Sequence, residues 1–151
     1  HAEFGLPTTV VRPFNVYGPG QVGEGAIRKF MIAALSGAPI TIHGDGAQIR
    51  AWCYVDDMID CVLRALERPE AVGETFNVGH PASASSIYAL AEAIVRVTGS
   101  KSQITRVERA GADVELRVPD VAKAKKLLGF EAQVGLEEGI RRTASWFAEA
   151  K

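Results

Sequence analysis

Arg50 stands at the centre of the stretch most able to hold an anion, Gly44-Asp45-Gly46-Ala47-Gln48-Ile49-Arg50-Ala51-Trp52-Cys53-Tyr54-Val55-Asp56-Asp57. Gly-Asp-Gly reverses a chain at little cost, because glycine accepts positive φ and aspartate hydrogen-bonds the backbone beside it. A guanidinium fixed just beyond such a turn suits a diphosphate. Its planar fork suits a carboxylate equally, so an exposed strand arginine or a partner for Asp56 is the alternative. Gln48, Arg50 and Trp52 alternate with Ile49, Ala51 and Cys53, which in an extended segment puts Arg50 on the polar side with Gln48. Val55-Asp56-Asp57 closes the segment, and an aspartate there is expected to cap a helix beginning at Met58.

Other polar groups are weaker signals. Asn15 follows the end of a strand, where open α/β sheets bind ligands, and its amide is either a ligand hook or the closure of its own turn. Arg117 and Asp120, in Arg-Val-Pro-Asp, form a polar pair before a helix or simply a solvated arginine and a cap. His43 ends a strand beside the glycine turn and either touches a ligand or is satisfied by its surroundings. Lys123, Lys125 and Lys126 read as a solvated helix face. The sequence offers no Walker-type phosphate loop, no metal-ligand cluster and no nucleophile elbow, and a dinucleotide-binding glycine loop is not expected within it. Tyr17, Tyr54 and Tyr88 each lack a lysine four residues later, so no self-sufficient proton-transfer or hydride site is expected and no catalytic residue is assigned.

The elements that must position these groups alternate between strand and helix. Thr8 to Arg12 is a β-branched run expected to be a buried strand, and Ile40 to His43, Glu74 to Gly79 and Ile104 to Glu108 read as further strands. Helical spacing runs from Ala26 to Leu35, stopped by Gly37. It recurs from Met58 to Leu66, from Ser85 or Ser86 to Gly99, from Val121 to Leu128 and from Leu136 to Ala150. With 151 residues, 47% hydrophobic, one sizeable core and a single α/β domain are expected. A formal net charge of -1 leaves no basic field for nucleic acid, and the apolar runs are too short for a membrane helix. Cys53 and Cys61 match neither a disulfide framework nor a zinc pattern, so a reducing cytoplasm is the default. His1 to Pro7 reads as the end of a helix, as if the chain began inside a larger fold.

Five segments, in order, resemble the carboxyl-terminal half of the NAD-dependent epimerase/dehydratase family, the extended short-chain dehydrogenases of nucleotide sugars. They are Arg12 to Gly20, Gly44 to Asp57, Phe76 to Gly79, Asp113 to Asp120 and Lys123 to Phe130. The resemblance implies an α/β substrate-binding lobe over residues 1–151 with the last part of a Rossmann-type sheet, of mixed short strands and helices. The amino-terminal NAD-binding Rossmann portion would be absent. It implies that Asn15 hydrogen-bonds a substrate diphosphate, that Arg50 and Arg117 clamp it, and that Asp120 lies near the nucleotide ribose. Phe30 and His43, with Val22, Ile27 and Ile42, would form the base pocket, and Pro13 and Phe14 would lie by the nicotinamide. Gly20 and Ala112 depart from the family pattern, where arginine and glycine are frequent.

The expected ligand is therefore a nucleotide-diphosphate sugar. NAD belongs to the full-length parent, with none bound tightly by this chain, and the glycine-rich loop and Tyr-x-x-x-Lys pair lie upstream. The chain alone is expected to be inactive, to need the missing Rossmann portion as partner, and to dimerise or exchange strands through an apolar edge beside Thr8 to Arg12. Two alternatives are a stand-alone nucleotide-sugar-binding or assembly module and a fragment of an NAD(P)-dependent reductase of a non-sugar substrate.

Overall fold

The structure, a computed structural model, describes residues 1–149. In chain order its elements are β1 (Val10–Pro13), β2 (Val16–Tyr17), α1 (Ala26–Ser36), β3 (Ile40–His43), β4 (Ile49–Ala51), β5 (Cys53–Tyr54) and α2 (Val55–Glu67). There follow β6 (Thr75–Val78), β7 (Ala84–Ser86), α3 (Ile87–Thr98), β8 (Ile104–Val107), β9 (Leu116–Arg117), α4 (Ala122–Leu128) and α5 (Leu136–Glu149). Ala150, included in the expected last helix, lies outside the described residues.

Local chemistry sets the helix ends. The Ser86 hydroxyl accepts the Ala89 N–H at 3.0 Å and starts α3. Gly37, Gly99 and Gly129 stop α1, α3 and α4 in the left-handed conformation. The expected start of α2 is corrected: it begins at Val55, so Asp56 and Asp57 lie in its first turn instead of capping it. Asp120 does not cap α4 either. The N-cap position is Val121, and Asp120 Oδ1 accepts the Ala122 N–H at 2.9 Å just outside the helix.

The strands form small sheets. Parallel pairs join β1 to β6, β2 to β5 and β3 to β8, while β4 lies between antiparallel β7 and parallel β9. One apolar core gathers α1, α3, β3 and Ile140 of α5 around Met31, Ile42, Leu90 and Ile94. A second sets Phe76 and Val78 of β6 against Cys61 of α2, Leu128 of α4 and Phe130. Fully burying a phenylalanine such as Phe76 contributes about 1.5–3 kcal/mol. The first core also depends on a close approach. A Cβ on Gly139 of α5 would stand 2.1 Å from the Tyr17 hydroxyl, which itself donates to the Leu136 carbonyl at 3.2 Å.

The buried strand expected at Thr8 to Arg12 is instead largely solvent-exposed. Val10 is 51% exposed, and β1 has a partner on one side in β6. Parallel strands are ordinarily covered on both faces, so the exposure of β1 departs from that rule.

Candidate functional site

β4 holds Arg50 between two neighbours, opposite Ser85 of β7 and Arg117 of β9. The alternation expected there is corrected: Ile49 is 38% exposed, whereas Arg50, Ala51, Trp52 and Cys53 are all buried, so Arg50 lies inside and does not share an exposed polar side with Gln48. A buried guanidinium must be hydrogen-bonded and neutralised. Arg50 Nη1 donates to the Ile49 carbonyl at 2.8 Å, and Nη2 donates to Asp113 Oδ2 at 2.9 Å. Arg109 approaches the same carboxylate oxygen at 3.3 Å. The acid partner is thus Asp113, not Asp56, which lies 3.7 Å from Arg142.

Asn15 sits beside Arg50. Its φ of 43° is the one positive value among the described non-glycine residues, a conformation that asparagine tolerates better than most. The conformation is held from both sides. Asn15 Nδ2 donates to the Ala51 carbonyl at 2.8 Å, and the Asn15 carbonyl accepts the Cys53 N–H at 3.3 Å. The amide therefore ties the loop after β1 to β4, 36 residues away, instead of closing its own turn. It also lines a cavity of about 190 Å³ with Gln21, Arg50 and Trp52.

A larger cleft, of about 530 Å³, is lined by Phe30, His43, Gln48, Arg109 and Asp113. Ala26 and Ile87 line both spaces, so the two adjoin and the Arg50–Asp113 pair lies between them. Gln21 Oε1 in the smaller space and Gln48 Oε1 in the larger are buried acceptors without a hydrogen bond among the described residues. Of the apolar residues expected around a base, Ile27 lines the smaller cavity. Ile42 is buried in the first core and Val22 is 84% exposed.

The remaining expected residues lie elsewhere. Arg117 is exposed and outside both linings, though register puts it beside Arg50. Pro13 pairs with Val78, and the Phe14 N–H donates to the Val78 carbonyl at 2.8 Å. Asn77 Nδ2 on the same strand donates to the Asp120 carbonyl at 3.2 Å. Pro13, Phe14 and Asp120 therefore gather at the end of the β1–β6 pair, apart from the Arg50 cavities.

Sequence reasoning gave no role to Asp113, Arg109 or Gln48. Asp113 and Gln48 fell within the recognised segments, but an ion pair across 63 residues leaves no local periodicity. Sequence reasoning also passed over Gly18, Gly20 and Gly23, which do have Gly-x-Gly-x-x-Gly spacing and lie between β2 and α1. Gly20 and Gly23 adopt φ values of 73° and 84°, but a Cβ on either would meet nothing within 4 Å. Gly20 and Gly23 thus serve an open turn, whereas a Cβ on Gly18 would stand 2.5 Å from Val55 Cγ1 at the start of α2.

Burial pushes the Cys53 thiol up to about 12 and raises the Tyr17 phenol well above its ordinary range, so neither ionises at neutral pH to act as nucleophile or base. Among the described residues, no group of three or more His, Cys, Asp or Glu is placed to hold a metal ion. No helix among them is long and apolar enough to cross a membrane.

The model of the NAD dependent epimerase/dehydratase family matches residues 1–79, more than half of the 151 residues. The chain belongs to that family. A UDP-N-acetyl-alpha-D-glucosaminuronate decarboxylase of Bacillus cytotoxicus is 35% identical, with 99% of this chain and 49% of the relative covered. A UDP-glucuronate 4-epimerase of Thermodesulfobacterium geofontis is 36% identical over 99% of this chain and 46% of the relative. The crystal structure of a Thermotoga maritima UDP-glucose 4-epimerase with UDP-glucose superposes with a TM-score of 0.92 at 35% identity, over 99% of this chain and 48% of that one. The Bacillus cereus UDP-glucuronic acid 4-epimerase, in complex with UDP-glucuronic acid and NAD, also gives 0.92, at 28% identity, over 100% of this chain and 48% of that one. The mixed α/β fold with short parallel strands is thus the fold of these epimerases. The chain spans about half the length of the curated relatives it matches.

Proposed function

We propose that residues 1–151 are the nucleotide-sugar-binding portion of an NAD-dependent epimerase/dehydratase, and that turnover requires the complementary, dinucleotide-binding half of the family fold. The observation that carries this is the buried Arg50, which lines a cavity adjoining a larger cleft and pairs with Asp113 on the wall of that cleft. In the relatives named above the ligands are UDP-sugars. Here the diphosphate would take Arg50, with Asn15 as the neighbouring wall and Arg117 approaching from β9. The base would enter the cleft of Phe30 and His43, and Asp120 would face the ribose side.

The residues present fit only one end of a dinucleotide. Pro13 and Phe14 offer an apolar contact at the tip of β1, and the turn at Gly20 to Gly23 is open, with nothing within 4 Å of a Cβ on either glycine. NAD, when bound in the assembled enzyme, would supply reversible hydride transfer to and from the sugar. This chain's own part is to bind the diphosphate and orient the sugar towards that end.

The complementary half would cover β1 and the outer face of α2, where Ile59, Leu63 and Leu66 are exposed. Two unpaired buried thiols, Cys53 and Cys61, accord with a reducing, cytoplasmic setting. The direct test is calorimetric titration of the chain with UDP, dTDP and GDP, against inorganic phosphate. Nucleoside diphosphates should bind and Arg50→Ala should weaken them. No preference over simple phosphate would instead favour a non-sugar substrate on the same scaffold.

A further inference from the structure

The Arg50–Asp113 pair has an asymmetry that bears on how a ligand enters. Arg50 is fixed: its strand is hydrogen-bonded on both sides, its Nη1 is tied to the Ile49 carbonyl, and it is 6% exposed. Asp113 sits on the irregular segment between β8 and β9, with its side chain 34% exposed. Its Oδ2 meets both Arg50 and Arg109, and its Oδ1 accepts the Val114 N–H at 2.8 Å.

A carboxylate and a phosphoryl group compete for the same guanidinium fork. We infer that Asp113 is an internal counter-ion that occupies the phosphate position of Arg50 in the empty site, so that a phosphoryl ligand enters by displacing it. This deepens the proposed function and rests on Arg50 being the diphosphate anchor. Displacement has two further consequences. It leaves Arg109, which lines the larger cleft and stays anchored through its hydrogen bond to the His43 carbonyl, without its carboxylate partner and so a second cation for the ligand. It also removes the side-chain pair lying between the two adjoining cavities, so one elongated ligand can occupy both. The buried charge of Arg50 is never left unpaired, because Asp113 leaves as the phosphoryl group arrives.

The test is titration of the 151-residue chain with inorganic pyrophosphate and with UDP, comparing wild type, Asp113→Asn, Asp113→Ala and Glu115→Gln. Glu115 is exposed and two residues from Asp113, so its substitution removes a nearby negative charge without touching Arg50. Removing a competitor that holds the site should tighten pyrophosphate about tenfold in both Asp113 variants, while Glu115→Gln stays within about twofold of wild type. Equal or weaker binding by the Asp113 variants, with wild type binding normally, overturns the displacement and leaves the phosphate site standing. Equal tightening by Glu115→Gln overturns it as a general charge effect. No binding by any of the four chains removes the phosphate site itself, and the displacement with it.

Discussion

Arg50 and Arg117 are register partners on the adjacent parallel strands β4 and β9, so their side chains leave the same face of one small sheet. They differ in burial: Arg50 is 6% exposed, while Arg117 is exposed. Two charge-assisted hydrogen bonds in a desolvated site are worth about 1.5–3 kcal/mol each, whereas an exposed ion pair gives about 0–1 kcal/mol. Arg50→Ala should therefore weaken UDP by about 100-fold or more and Arg117→Ala by less than about tenfold, read by calorimetry. Unchanged binding in both variants would remove the arginine clamp.

Asp57 makes a different kind of link. Buried in the first turn of α2, it accepts the Gln133 N–H at 2.9 Å and the Val134 N–H at 3.0 Å, joining α2 to the segment that leads into α5. Asp57→Ala leaves two N–H groups without a partner and should cost about 3 kcal/mol. Asp56→Ala, at an exposed neighbour, should stay within about 0.5 kcal/mol. Urea unfolding midpoints decide it, and equal losses in the two variants would mean that Asp57 contributes nothing beyond its helix position.

Much of the fold was legible because its signals are local. Ser86, Gly37, Gly99 and Gly129 mark helix ends by hydrogen bonds and positive φ that depend on a few neighbouring residues. The order of strands and helices was legible for the same reason, and Phe30, His43, Asn15 and Arg50 do line adjoining cavities. What misled was what lies across the chain. The extended character of the segment at Arg50 was legible but its burial on both sides was not, since that depends on Asp113 and on β7 and β9 as flanking strands. Asp57 looks like a cap until Gln133 and Val134 are seen to meet it. β1 has the composition of a buried strand, yet most of it is exposed in the described residues.

Alkaline pH should destabilise the chain. Burial pushes the Cys53 thiol from 9.0 to about 12 and the Cys61 thiol from 9.0 to about 11, and it raises the Tyr17 and Tyr54 phenols. Above about pH 9 the unfolded thiols lose protons that the folded ones retain, so the unfolded state binds fewer protons and stability falls with rising pH. The contribution is whole below pH 9 and lost as pH passes through the folded values. Urea midpoints should decline from about pH 8 to about pH 11, with a shallower decline in Cys53→Ala. A flat profile would mean that the thiols ionise alike in both states.

The outer face of α2 supplies the last expectation. Ile59, Leu63 and Leu66 are 50%, 52% and 78% exposed, and their spacing of four and three residues aligns them in one stripe opposite Cys61 and Ala65. A stripe of that kind on a solvated helix is covered when a partner surface is present. Replacing all three with glutamine should therefore leave the stability of the chain within about 1 kcal/mol, since the residues are exposed and away from the cores. The same replacement should abolish both self-association in light scattering and capture of a separately expressed dinucleotide-binding half from a relative. A variant that still assembles as the wild type does would place the covering surface elsewhere, with the exposed side of β1 next to be tested.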